Sequence, residues 1–258
     1  MANTELSPDK GQNMIRNNPL RVHSVADTSL LRTQFLWLSI GLFVVLGLTS
    51  LGFFGLSRGM SVSLVLFGTI AVIAGYGLSK HPIKTLGAAN VVTTMRAGMI
   101  AFLASCIAQP DVLNAYGWFF FAVASLAFAL DGVDGFLARR DGTATSYGAR
   151  YDMEIDALFG AVLSLIVLSA GIAGPLVLIL GFMRYIFVLA GYALPWLNGS
   201  LPESMRRKGV CVIQIAALIA LICPVIPTSL QMTIMLTGTA ALVWSFAIDT
   251  LRLKRLAT

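Results

Sequence analysis

Residues Asp131 to Asp156 read DGVDGFLARRDGTATSYGARYDMEID, and this stretch decides the fold. It holds six of the chain's twelve acidic residues: Asp131, Asp134, Asp141, Asp152, Glu154 and Asp156. Apolar runs flank it on both sides, so most of these acids fall on segments long and greasy enough to cross a bilayer. A carboxylate inside a membrane costs at least about 2–3 kcal/mol, so such residues demand a pairing or functional reason. Their spacing supplies one. Asp131, Asp134, Gly135 and Ala138 follow i, i+3, i+4, i+7 and share one helical face. Gly148, Asp152 and Asp156 follow i, i+4, i+8 and share another. A polar turn of eight residues, 140–147, joins the two helices and makes them antiparallel. At about 1.5 Å per residue, Asp131 and Asp156 both lie roughly 12 Å from that turn, with Asp134 and Asp152 nearer it. The spacing therefore predicts four carboxylates from two helices around one cavity.

Four like charges need protons or cations to coexist. Oxygen ligands with no His or Cys nearby favour a hard ion such as Mg²⁺, Mn²⁺ or Ca²⁺ over zinc, and four carboxylates suffice for two ions. Gly135, Ala138 and Gly148 leave room for close approach. Arg139, at the mouth, suits a phosphate. The competing reading is a structural acidic cluster paired with arginines. Arg139, Arg140 and Arg150 lie closer to the turn than the deeper aspartates, which argues against them as the partners.

The surrounding chain sets the context. Of 258 residues, 57% are hydrophobic and 12% charged, about half the charge of a soluble domain. Eight stretches satisfy the roughly 20-residue requirement for a span, at about 34–56, 60–78, 90–108, 113–139, 146–170, 175–197, 209–225 and 230–251. The expected fold is an all-α integral membrane protein of about eight transmembrane helices. If both ends are cytoplasmic, 16 of the 18 Lys and Arg fall on the inner side, Arg96 among them, leaving Arg58 outside and Arg184 within a span; this matches the positive-inside pattern. The net charge of +6 then points to an anionic membrane face rather than to nucleic acid. The three cysteines, Cys106, Cys211 and Cys223, read as small buried hydrophobes.

Three regions follow: a polar tail over 1–33, in which Asp27-Thr28 is a candidate cap for a short interfacial helix; two accessory spans with a basic connector over 34–89; and a core of six spans over 90–258. Arg184 and the triplet Arg206-Arg207-Lys208 are candidate ligands for an anionic acceptor. Pairing with Glu154 is the alternative for Arg184, and topological anchoring the alternative for the triplet. Asp249 and Arg252 read as a helix-end pair.

The spacing D-x-x-D-G-x-x-A-R, eight residues, G-x-x-x-D-x-x-x-D resembles the motif of the CDP-alcohol phosphatidyltransferase family, and all eight fixed positions are present. The resemblance covers a six-helix core and leaves the two preceding spans unexplained. It implies that Asp131, Asp134 and Asp152 bind metal. It implies that Asp156 is both a metal ligand and the base that deprotonates an acceptor alcohol. Gly135, Arg139 and Thr145 match positions that contact the CDP moiety, and Ala138 and Gly148 complete that subsite. Asn90-Val-Val-Thr93-Thr-Met-Arg96 resembles the family's opening helix pattern, in which Asn90 and Thr93 touch the nucleotide. The implied activity is transfer of a phosphatidyl group from CDP-diacylglycerol to an alcohol with release of CMP. The expected cofactor is Mg²⁺ or Mn²⁺, as two ions, and the expected assembly a homodimer. Glycerol 3-phosphate is the leading acceptor; inositol phosphate, inositol, serine and other polar alcohols remain alternatives. The expected location is a bacterial inner or plasma membrane, with the site and both termini cytoplasmic. An ion transporter, with aspartates lining its path, is the competing class; it would call for broken helices or inverted repeats, which the sequence lacks.

Overall fold

The computed structural model describes residues 19–80, 86–140, 145–199, 201 and 204–257; side chains are described for these except at 19–29, 134, 136–139 and 257. The described residues are helical throughout, with no strand. The helices are α1 (Pro19–Phe54), α2 (Arg58–Lys80), α3 (Gly87–Ala108), α4 (Pro110–Ala115), α5 (Gly117–Arg140), α6 (Ser146–Ser169), α7 (Val177–Ala193), α8 (Met205–Leu221) and α9 (Thr228–Ala257), with a short 3₁₀ turn at Pro195–Asn198.

Each of the eight expected apolar stretches overlaps one or more of these helices, with local differences. The described part of α1 extends back to Pro19, inside the stretch expected to be a polar tail, and no glycine or proline interrupts it from there to Gly41, so the segment expected to cap a separate interfacial helix at Asp27 continues as α1. The fourth stretch is two helices, because the chain breaks at Tyr116 between α4 and α5. The sixth ends at Ala193, where Pro195 removes a backbone donor and diverts the chain into the 3₁₀ turn. Two chain reversals use left-handed glycines just past a helix end, Gly55 after α1 and Gly171 after α6, at φ 64° and 67°.

Among the described residues, four helices are long and apolar enough on length and composition to cross a membrane: Leu30–Phe54, Arg58–Lys80, Gly87–Ala108 and Thr228–Leu256. Two shorter apolar helices, Gly117–Val133 and Val177–Ala193, accompany them. The α6 helix falls outside both groups because Arg150, Asp152, Glu154 and Asp156 crowd its first half.

Helix α3 is the axis of the bundle. Two thirds of its apolar window is buried (67%), against 22–28% for the other three long apolar helices. It packs against α1, α2, α5 and α6. The outer helices turn Trp37, Val44, Leu48, Val65, Val72 and Ile73 outward. In water such a surface would drive aggregation; in lipid it is the solvent-matched face. At the end of the bundle away from Asp131, an aromatic knot of Phe53, Phe54, Phe102, Phe119 and Phe120 joins α1, α3 and α5. Helices α6 and α7 touch through glycine: a Cβ on Gly181 would come within 2.7 Å of Gly160 O. Gln214 Nε2 donates to Leu180 O and ties α8 to α7. Cys106 is buried as expected, but Cys211 is exposed on α8.

Candidate active site

The site forms where α3, α5 and α6 meet near the 140–147 turn. Asp131 comes from α5, Asp152 and Asp156 from α6. One carboxylate oxygen from each lies within 4.8 Å of the others. The convergence expected from helical spacing is therefore present for these three. Asp134, Ala138 and Arg139 lie on α5 with side chains outside the described residues, and Asp141 lies outside them altogether. Gly135 sits on the same helix, half-buried.

The centre of the cluster is Arg96 of α3. Its side chain is 1% exposed, while Asp131, Asp152 and Asp156 keep 35%, 33% and 43% of theirs. Nη1 reaches Asp131 Oδ1 at 2.9 Å and Asp152 Oδ1 at 2.7 Å. Nη2 donates to Asp156 Oδ1 at 2.5 Å, and Nε donates to Ala127 O at 3.1 Å, one turn before Asp131 on α5. The planar guanidinium thus bridges both acidic helices from behind, in the way its rigid fork allows. Arg96 lies within α3, six residues into the expected span that starts at 90, and its burial there calls for an acidic partner.

Charge balance separates a structural ion pair from a binding site. Among the described residues, one guanidinium meets three carboxyl groups here. The guanidinium is sealed in the protein, and the carboxylates remain accessible. Oxygen donors in this arrangement fit a hard divalent cation.

The proposed nucleotide-side residues converge next to it. Thr145 is the N-cap of α6: its backbone is extended and its Oγ1 accepts from Gly148 N at 3.0 Å. Gly148 faces Asn90 of α3, and a Cβ there would stand 3.0 Å from Asn90 Oδ1 and 3.2 Å from Thr145 Oγ1. Asn90 is buried, with Nδ2 donating to Leu86 O at 2.7 Å, and Thr93 Oγ1 donates to Ala89 O at 3.0 Å. Asn90, Thr145 and Gly148 thus share one corner, a few residues from Asp152.

The basic residues separate into two groups. Arg184 of α7 pairs with Glu154 Oε1 at 2.5 Å, the alternative weighed from sequence, and also donates to Met153 Sδ. Arg206 is committed to α9: it donates to Ser245 O at 2.7 Å and to Ser245 Oγ, and pairs with Asp249 at 2.5 Å. Asp249 is therefore the partner of Arg206, replacing the expected pair with Arg252; the two residues are 43 apart in sequence and on different helices, which local spacing does not reveal. Arg207 is half-buried and Lys208 exposed, each with interactions of its own. Helices α7 and α8, which carry Arg184 and Arg207, both pack against α6.

An all-helical integral membrane protein whose accessible carboxylates converge beside a small-residue corner is suited to hold a cation against an anionic head group. The chain belongs to the CDP-alcohol phosphatidyltransferase family, whose family model matches residues 86–244, from the start of α3 into α9. No curated protein and no solved structure matches it. It is accordingly a transferase of substituted phosphate groups that serves phospholipid biosynthesis, and the ion-transporter alternative falls away. Helices α1 and α2 lie outside the matched segment.

Proposed function

We propose that the chain transfers the phosphatidyl group of CDP-diacylglycerol to a small alcohol and releases CMP. The observation that carries this reading is the meeting of Asp131, Asp152 and Asp156 around accessible oxygens, beside Asn90, Thr145 and Gly148. The first group is the proposed cation site, with Asp134. The second, with Thr93, Gly135, Ala138 and Arg139, is the proposed CDP subsite. Residues 90–258 form the proposed catalytic unit.

In the proposed reaction the acceptor oxygen attacks the phosphorus bonded to the diacylglycerol. The bond from that phosphorus to the CMP oxygen breaks, and CMP leaves as an anion. The acceptor's proton passes to the Asp156 carboxylate, which is the most exposed of the three. Mg²⁺ or Mn²⁺, as one or two ions held by the aspartates, would neutralise diphosphate charge and assist the departure of CMP. Arg96 holds Asp131, Asp152 and Asp156 in mutual register from the buried side. The Asn90–Gly148 corner lets the nucleotide approach the backbone closely.

The proposed acceptor is phosphorylated, with glycerol 3-phosphate first. Arg184 and Arg207 support this, because both stand on helices, α7 and α8, that pack against α6, the helix of Asp152 and Asp156. Inositol phosphate, inositol and serine complete the panel. The same reading places the site on the cytoplasmic side, where Lys80, Arg140, Arg150 and Lys254 gather at helix ends, and takes the protein to be a homodimer.

The test is direct. Purified full-length protein in lipid nanodiscs, given CDP-diacylglycerol, Mn²⁺ or Mg²⁺ and each acceptor in turn, releases CMP with at least one. Release that is independent of acceptor, or absent with all of them, overturns the reading.

A further inference from the structure

Helices α1 and α2 precede the segment that defines the family, yet α2, which packs along α3, also reaches the first turn of α6. Tyr147, in the first turn of α6, donates from its hydroxyl to Ala74 O of α2 at 2.6 Å. Both residues are buried. That carbonyl lies within a helix, so the phenol takes up its remaining acceptor capacity rather than replacing a helical bond. The ring lies over Gly77, where an added Cβ would fall 2.8 Å from Tyr147 Cε2.

The contact continues inward. Tyr147 stacks on Tyr151 one turn along α6, with centroids 6.0 Å apart and an interplanar angle of 19°. Tyr151 donates to Thr94 Oγ1 of α3 at 3.4 Å, and Thr94 donates on to Asn90 O at 2.7 Å. Tyr147 stands between Thr145 and Gly148, and Tyr151 immediately precedes Asp152. The path from α2 therefore ends on the residues that frame the nucleotide corner.

We infer that Tyr147 is a positioning residue through which the accessory helix α2 fixes the N-terminal turn of α6 against α3, and with it the subsite for the CDP-lipid. The inference rests on the proposed phosphatidyl transfer for the identity of the ligand. A shift of α6 along α3 would move Thr145 and Gly148 away from Asn90. The Arg96 pairs tie α6 to α3 at Asp152 and Asp156, one to three turns beyond Thr145 and Gly148, so the end of α6 that carries those two residues needs a hold of its own. A buried hydrogen bond to a third helix supplies it.

The test uses full-length protein in nanodiscs with Mn²⁺. Binding of radiolabelled CDP-diacylglycerol is measured without acceptor, and KM and kcat are measured with the active acceptor. Tyr147→Phe keeps the ring and removes the hydroxyl. It is expected to raise both the Kd and the KM for CDP-diacylglycerol about three- to tenfold, the worth of one net hydrogen bond, with kcat within about twofold of wild type on the same grounds. Gly77→Ala, which pushes on the ring, is expected to shift Kd in the same direction in the wild-type background and to have no effect in a Tyr147→Ala background, where the ring is gone. A merely structural role would lower the melting temperature and the fraction of protein that binds, and leave Kd unchanged. An unchanged Kd in Tyr147→Phe overturns the inference, as does a Gly77→Ala effect that persists without the ring. If wild type binds CDP-diacylglycerol but releases no CMP with any acceptor, the transfer reading fails while the Kd comparison still decides the role of Tyr147. If wild type does not bind the CDP-lipid, both fail.

Discussion

Two arginines in this molecule, Arg96 sealed and Arg206 half-buried, have opposite surroundings. Arg206 of α8 meets one carboxylate, Asp249, and fills its remaining valence with Ser245 O and Oγ. Its partner is 11% exposed, so the pair is closed and balanced. Arg96 meets three carboxylates, each about a third exposed or more, and is itself sealed. The first arrangement satisfies charges that already exist within the bundle. The second leaves three carboxyl groups facing outward and pins them from behind. An intramembrane ion pair is thus structural or functional according to its stoichiometry and to which partner is accessible, not according to burial alone.

Substitutions at the two sites should separate these roles. The largest effect is expected from Asp156→Asn, which removes the proposed base but keeps its shape. CMP release should fall about 10²- to 10⁴-fold, the usual contribution of a general base, with an unchanged melting profile. Normal turnover in this variant would remove Asp156 from the chemistry. Next comes Arg96→Ala, which leaves three carboxylates without their guanidinium. It should cost about 3 kcal/mol, the low end for a broken buried pair because the acids are partly solvated, and should also abolish activity; melting in the presence and absence of Mn²⁺ checks this. Asp249→Ala breaks the balanced pair and should cost about 2 kcal/mol in the same assay. Its kcat should stay near wild type, and the double variant Arg206→Met/Asp249→Leu should recover most of the loss. A large kcat defect in Asp249→Ala would dissolve the contrast. The smallest effect belongs to Arg184→Ala, which should raise the acceptor KM about tenfold or less while sparing that of the CDP-lipid, as expected of one charge-assisted contact. An unchanged acceptor KM would leave Arg184 as no more than the partner of Glu154.

The aspartates were legible in the sequence because their spacing is local: i+4 steps on two helices joined by a short polar turn leave few other arrangements. What joins distant segments was not legible. Arg96 lies 56 residues from Asp152 and 60 from Asp156, and only its position inside an apolar helix hinted that it needed acids. The Arg206–Asp249 contact crosses from α8 to α9, so local spacing pointed to Arg252 instead. Tyr147 carries no local signal of its role, because its partner Ala74 lies 73 residues away on α2. The length of α1 was underestimated because polar composition suggested a tail, whereas a polar helix can extend beyond the bilayer surface once an apolar span has nucleated it.

The most direct test of the central claim is Mn²⁺ binding followed by electron paramagnetic resonance, on purified wild type and on Asp131→Asn, Asp152→Asn and Asp249→Asn. Convergent carboxylates predict saturable Mn²⁺ binding in wild type and in Asp249→Asn, and its loss or marked weakening in the other two. Equal Mn²⁺ binding by wild type, Asp131→Asn and Asp152→Asn would contradict the account.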